Sequence, residues 1–346
     1  MQRTLNSFLI LLVFIIIPSL LPISMHAQNI QADTIKPANG EDEDSVQQLN
    51  AKNFSGTIVR NVIYDSNVNF QSAEQQLSMD IYKPADAERK YPLVLLIHGG
   101  GFRSGDKKPL GTTCMALAEQ GYVAVSINYR LGWGGEHGRR TCNADTLQFK
   151  QAIYRATQDA HAALGYLSMH ADEYSIDKNW VFIGGVSAGA VTALFTAYLS
   201  QHDADSFFPG FEKDLGELNK NANDTAGAYT LRGVLSMWGA FVDPQLITSS
   251  NAVPTIFFQG VQDQVVPFDS APFARCPGTT KIYGTYPLYN RLKELGITTV
   301  AHVDPNGGHG VFSTNFRMKN IFCFLKNVRA GNKEQVYLTG EQSSCN

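Results

Sequence analysis

Four short runs constrain the fold most: YPLVLLIH (91–98), GYVAVSINYR (121–130), NWVFIGG (179–185) and PTIFFQG (254–260). Each is apolar at nearly every position rather than at alternate ones, the pattern of a strand buried on both faces. Helical spacing fills the gaps between them. One long stretch, about 146–170, puts Ile153, Ala156, Ala160, Ala163, Leu164 and Leu167 on a single face. Further helices are expected over 109–120, 188–199, 288–296 and about 313–328, and further strands at RGVLSMWG (232–239) and TTVAHVD (298–304). Such alternation predicts an α/β fold, a mostly parallel central sheet with helices on both faces. TIVRNVIY (57–64) and LSMDIYKP (77–84), separated by a polar turn, predict an antiparallel N-terminal edge. Nothing resembling a linker interrupts 54–330, so one domain is expected there, with 331–346 as a C-terminal tail. The stretch 202–230 is weakly periodic and too long for an ordinary connection, which suggests a functional or disordered loop. Phe207, Phe208 and Phe211 within it could form part of a lid.

Residues 1–27 are of another kind. A basic residue, Arg3, precedes an apolar run from Phe8 to about Ile23, and small Ala27 follows, the three-part layout of a secretory signal peptide. Pro18 and Pro22 shorten the helical part of that run below the roughly 20 residues that span a bilayer. A secreted or periplasmic protein without stable membrane insertion is therefore expected. Residues 28–53 are polar and read as a disordered leader. A net charge of -3 with scattered Lys and Arg leaves no footprint for nucleic acid. The five cysteines, Cys114, Cys142, Cys276, Cys323 and Cys345, fit no zinc spacing, and no metal or other cofactor is implied. In an exported chain they are expected to form one or two disulfides, leaving at least one unpaired.

The stretch GGVSAGAV (184–191) sits where a buried strand should end and a helix begin. Ser187 is flanked two residues away on each side by Gly185 and Gly189, whose missing Cβ atoms let strand and helix approach closely. This G-x-S-x-G arrangement is the nucleophile elbow, which lifts a hydroxyl above the carboxyl edge of the sheet. HGGGF (98–102) follows the strand YPLVLLIH directly. Its glycines allow backbone N–H groups to approach a negative oxygen, so Gly100 and Gly101, with Ala188 at the start of the next helix, are the expected oxyanion donors. His98 is expected to orient this loop.

A serine hydroxyl needs a base, and the base needs a carboxylate. His309, in NGGHGVF after a late strand, is the expected base; His161 and His170 fall on the long helix, His137 and His202 in polar stretches, and His302 inside a strand. Asp263, in GVQDQVVPF after PTIFFQ, is the expected acid, with Asp243 and Asp304 as competitors. Phe102, Trp133, Trp238, Val265 and Val266 are candidate pocket residues, each of which could equally be ordinary core.

The order Ser187, Asp263, His309 is that of α/β-hydrolases. From about 75 to 328 the chain resembles that fold's carboxylesterase/lipase group, carrying MDIYKP, HGGGF, INYRL, GVSAG, D-x-VVP and GGHG in the group's order. Within the group it is similar to secreted bacterial esterases related to feruloyl and acetyl-xylan esterases. The resemblance implies an ester substrate, a small molecule or an acylated plant polysaccharide, hydrolysed through an acyl-enzyme. Two departures, Phe102 where relatives often have tryptophan and the long segment 131–150, fall beside the expected pocket. A serine exopeptidase of the same fold and a non-catalytic binding protein are the competing readings.

Overall fold

The computed structural model describes residues 54–86, 89–133, 146–219, 228–273 and 279–345. The expected signal peptide and polar leader lie outside the described residues, as do His137, Cys142, Cys276 and most of 131–150.

The chain opens with β1 (Thr57–Val68) and β2 (Glu74–Lys83), then β3 (Tyr91–Ile97), a 3-10 turn (Lys108–Leu110), α1 (Gly111–Glu119) and β4 (Val123–Ile127). The long helix α2 (Thr146–Met169) leads into β5 (Ile176–Val186) and α3 (Ala188–Tyr198). Two short helices, α4 (Gln201–Phe207) and α5 (Phe211–Leu215), precede β6 (Leu231–Met237) and β7 (Thr255–Gly260). A small antiparallel pair, β8 (Ser270–Pro272) and β9 (Lys281–Tyr283), is followed by α6 (Thr285–Glu294), β10 (Thr299–Asp304), α7 (Thr314–Arg329) and β11 (Gln335–Thr339).

Nine strands form one sheet in the order β1-β2-β4-β3-β5-β6-β7-β10-β11. β2 runs antiparallel to both β1 and β4, and every other neighbouring pair is parallel. The parallel strands read as unbroken apolar runs because both of their faces are covered. Leu93, Leu95 and Ile97 of β3 join the layer containing α2, α3 and α6. Val94 and Leu96, pointing the other way, join the layer containing α1 and α7. Each fully buried side chain of this kind stabilises the fold by about 1.5–3 kcal/mol relative to exposure.

Two expectations need correction. Residues 331–346 are not a tail outside the fold: β11 pairs in parallel with β10, from Thr299 opposite Gln335 to Val303 opposite Thr339, and Cys345 is bonded to Cys323 on α7. Two of the three phenylalanines of 202–230 are also core rather than exposed loop. Phe208 and Phe211 are buried and stacked on each other, and both meet the Tyr154 ring edge-on. The described part of that insertion is helical and anchored to α2, where the Gln158 carboxamide donates to the carbonyls of Leu215, Gly216 and Glu217.

Candidate active site

β5 ends at Val186, and the chain must reverse into α3 within one residue. Ser187 makes that turn at φ 54° and ψ −117°, far from any relaxed conformation of a residue with a side chain. Its neighbours make the turn possible. A Cβ on Gly185 would lie 2.4 Å from the Gly189 carbonyl carbon, and one on Gly189 would lie 2.0 Å from the Ile97 carbonyl oxygen. The Ser187 N–H donates to the Met237 carbonyl, which ties the elbow to β6. Strain is stored at the serine while its hydroxyl stays clear of the core.

Asp263 and His309 come from loops after adjacent strands, β7 and β10. The loops are stitched together by Val261 N–H to the Asp304 carbonyl and Gln262 N–H to the Gly307 carbonyl, both 2.9 Å. Gln259, fully buried, braces the same loop: its amide group donates to the carbonyls of Val266 and Pro267, and its oxygen accepts the Thr285 N–H. The Asp263 carboxylate is completely buried. One oxygen accepts the N–H groups of Val265 and Val266 at 2.8 and 3.0 Å, and the other lies 2.8 Å from His309 Nδ1. A carboxylate only accepts, so Nδ1 carries the proton and Nε2 of the neutral ring is the acceptor. Nε2 stands 2.8 Å from Ser187 Oγ. Three residues from distant parts of the chain thus form one hydrogen-bonded line.

The competitors lie elsewhere. Asp243 caps the 3-10 turn Pro244–Leu246, Asp304 accepts the Asn306 N–H, and His302 is buried against Phe258 with Nε2 3.3 Å from Ser344 Oγ.

Peptide geometry aims the HGGGF loop. His98 stacks on Tyr129, its ring centroid 4.5 Å away, and its Nδ1 donates to the Gly99 carbonyl at 2.7 Å. Burial holds its pKa below the usual histidine value, which favours the neutral ring. The peptide is trans, so fixing the Gly99 carbonyl points the Gly100 N–H the opposite way. The Gly100 carbonyl is likewise held by the N–H groups of Arg103 and Ser104, which turns the Gly101 N–H away from them. Gly99 packs against the serine, since a Cβ on it would lie 3.4 Å from Ser187 Cβ. Ala188 is the first residue of α3, where an N–H has no partner inside the helix.

The expected pocket residues divide. Phe102 is fully buried at φ 61°, its ring edge-on to Tyr129 and Phe149, so it is core beneath the loop and not pocket wall. Trp238 is buried, its ring in an edge contact with the His309 imidazole and with the Arg317 guanidinium 5.1 Å from its ring centre. Val265 and Val266 serve the Asp263 carboxylate through their N–H groups, and Val266 is buried. Trp133 is half-buried beside the loop and donates from Nε1 to the Gly101 carbonyl at 2.9 Å. Gln259 and the Gly260–Gly307 contact escaped the sequence reading; the glycine that ends PTIFFQG was the available signal. No cluster of metal-ligating side chains occurs among the described residues.

Residues 79–241 match the BD-FAE family. Gut esterase 1 of Caenorhabditis elegans is 31% identical over 138 residues, 39% of this chain and 23% of that protein. The chain spans 21% to 33% of the length of three curated relatives it matches. Thermogutta terrifontis esterase 2, in a structure phosphorylated by paraoxon, superposes with a TM-score of 0.53 at 18% identity, covering 80% of this chain and 95% of that one. A truncated carbohydrate esterase from gut microbiota gives 0.53 at 18% identity, covering 79% and 96%. The chain thus has the α/β-hydrolase fold, and its residues 79–241 are similar to the BD-FAE family.

Proposed function

We propose that the protein is a serine carboxylic-ester hydrolase. The observation that carries this reading is the hydrogen-bonded line from Ser187 Oγ through His309 to Asp263, at 2.8 Å on both sides of the imidazole. Ser187 Oγ attacks the ester carbonyl as His309 Nε2 takes its proton. The carbonyl oxygen gains the negative charge and is received by the N–H groups of Gly100, Gly101 and Ala188. Collapse breaks the ester C–O bond, and the imidazolium returns its proton to the departing alcohol. Water then gives a proton to Nε2 and its oxygen to the acyl carbon, releasing the acid and restoring Ser187. Buried Asp263 keeps the proton on Nδ1 and stabilises the imidazolium.

The protein acts after export in this reading, supported by the pattern of residues 1–27 and by the Cys323–Cys345 disulfide, a bond that persists in oxidising compartments. No helix among the described residues is long and apolar enough to cross a membrane. The resemblance implies an ester substrate, a small molecule or an acylated plant polysaccharide.

The test is hydrolysis of p-nitrophenyl acetate and butyrate beside a dipeptidyl nitroanilide. Turnover of the esters but not the amide, lost by about 10⁴-fold or more in Ser187→Ala with the fold intact, is the expected result. Amide cleavage would favour the exopeptidase. Absence of ester turnover, or undiminished turnover by the variant, would overturn the proposal.

A further inference from the structure

Among the described residues beside the site, one cation meets neither a carboxylate nor a carbonyl. Among the described arginines, Arg60, Arg89, Arg130 and Arg291 meet carboxylates, Arg155, Arg232 and Arg317 donate to carbonyls, and Arg329 meets the Tyr122 hydroxyl. Arg103 does none of these. It is exposed, with its guanidinium carbon 3.6 Å from the centre of the Trp133 ring. A guanidinium carries five N–H donors in a planar fork, the geometry that suits a carboxylate.

Its place is set by the chain around it. Phe102, at φ 61°, adopts a left-handed backbone that costs a residue with a side chain on the order of 1–2 kcal/mol. That turn sends the Phe102 ring into the core and the next residue, Arg103, out over Trp133. Trp133 is pinned in turn by its Nε1 bond to Gly101, and its edge meets Phe149. Gly99, which touches Ser187, and Gly101, which holds Trp133, are at most about 7 Å apart along the chain. The stack therefore stands beside the loop that faces the reacting carbonyl. Cation–π contact holds the guanidinium in position while leaving its N–H fork open.

We propose that Arg103, held on Trp133, is a specificity determinant that recognises a free carboxylate carried by the ester substrate. This rests on the esterase reading above and narrows it to acidic esters. Arg103 touches no reacting atom and acts by binding, so its contribution falls on kcat/KM for anionic esters relative to neutral ones.

The experiment compares p-nitrophenyl half-esters of succinate, glutarate and adipate with neutral p-nitrophenyl alkanoates of the same chain length. It also compares 4-acetoxybenzoate with its methyl ester, which puts the carboxylate on the alcohol side. In at least one set, the ratio of kcat/KM for the anionic over the neutral ester should fall about tenfold in Arg103→Gln and partly recover in Arg103→Lys. Raising the salt concentration should lower the wild-type ratio, as expected for an exposed charge. Unchanged ratios in both sets would overturn the proposal while leaving the esterase reading intact. Failure of wild type on every ester, neutral and anionic alike, would instead sink the esterase reading. Calorimetric binding of monomethyl adipate to Ser187→Ala, with and without Arg103→Gln, reads recognition without turnover: about tenfold weaker binding in the double variant is expected, and equal or undetectable binding in both counts against Arg103.

Discussion

A Cβ placed on Gly260 would lie 2.2 Å from the carbonyl oxygen of Gly307, so the loop bearing Asp263 closes on the loop bearing His309 through two bare backbones. That closeness underlies the 2.8 Å contact between the carboxylate and the imidazole.

Gly260→Ala should therefore separate the loops. The methyl group meets backbone, which cannot rotate aside, and the displacement passes to Asp263 three residues later. Hydrolysis of p-nitrophenyl acetate should drop about 10²-fold or more, with a stability loss of about 1–3 kcal/mol, as for overpacking. Activity within twofold of wild type would show that the site tolerates the shift.

Asp263→Asn tests orientation separately from packing. The amide oxygen can still accept from Val265 and Val266, but the amide nitrogen would then face His309 Nδ1 and favour the wrong tautomer. A fall of about 10⁴ in kcat is expected, as in serine hydrolases generally, with thermal stability close to wild type. A loss under tenfold would remove Asp263 from the proposed triad.

Stability should depend on pH through two histidines that take no part in the chemistry. Burial pushes His161 and His302 down to about 4, and both are shielded from solvent. Unfolded histidine titrates near 6.5. Between those values the unfolded chain binds protons that the folded one does not, so stability is full above about pH 6.5 and falls as pH drops toward 4. A displacement of that size corresponds to about 3 kcal/mol for each group. Urea midpoints at pH 7.5, 6 and 5 should decline steadily, and His161→Leu should remove about half of the decline. A midpoint constant across this range would contradict the burial of both rings as neutral groups.

Reduction of the Cys323–Cys345 bond, or Cys345→Ser, should destabilise the fold by about 3 kcal/mol. The bond closes a loop with a sequence separation of 22, and stabilisation of that order follows from loop-closure entropy. Ester turnover at 25 °C should be unaffected, because the bond joins α7 to the segment after β11 and not to the loops bearing Ser187, Asp263 or His309. Differential scanning calorimetry with and without reductant reads the change, and identical melting temperatures would contradict it. Cys114 is free and buried.

The parallel core was legible because strands covered on both faces are apolar at nearly every position, as YPLVLLI and the IFF of TIFFQG are. The elbow was legible because the short turn at Ser187 demands glycine at 185 and 189. β11 was not, since QVYLT alternates exposed and half-buried residues at the sheet's rim and follows a helix already expected to end the fold. Phe102 and Trp238 were taken for pocket residues because their neighbourhood in sequence is the site. Both have positive φ, at 61° and 48°, and a side chain turned by such a backbone conformation gives no periodic signal. The burial of Phe208 and Phe211, offered by the sequence as lid residues, was hidden for a related reason: helices of seven and five residues are too short to establish a period.

The last strand also shields its neighbour. With β11 in place, residues 299–303 of β10 are paired on both sides, to β7 and to β11. Detaching β11 would leave a row of unsatisfied backbone donors and acceptors along Thr299–Val303, open to pairing with another unfolding molecule. The Cys323–Cys345 link, by holding the segment after β11 to α7, should therefore oppose self-association as well as unfolding, and a reduced sample should begin to aggregate before its candidate active site has come apart.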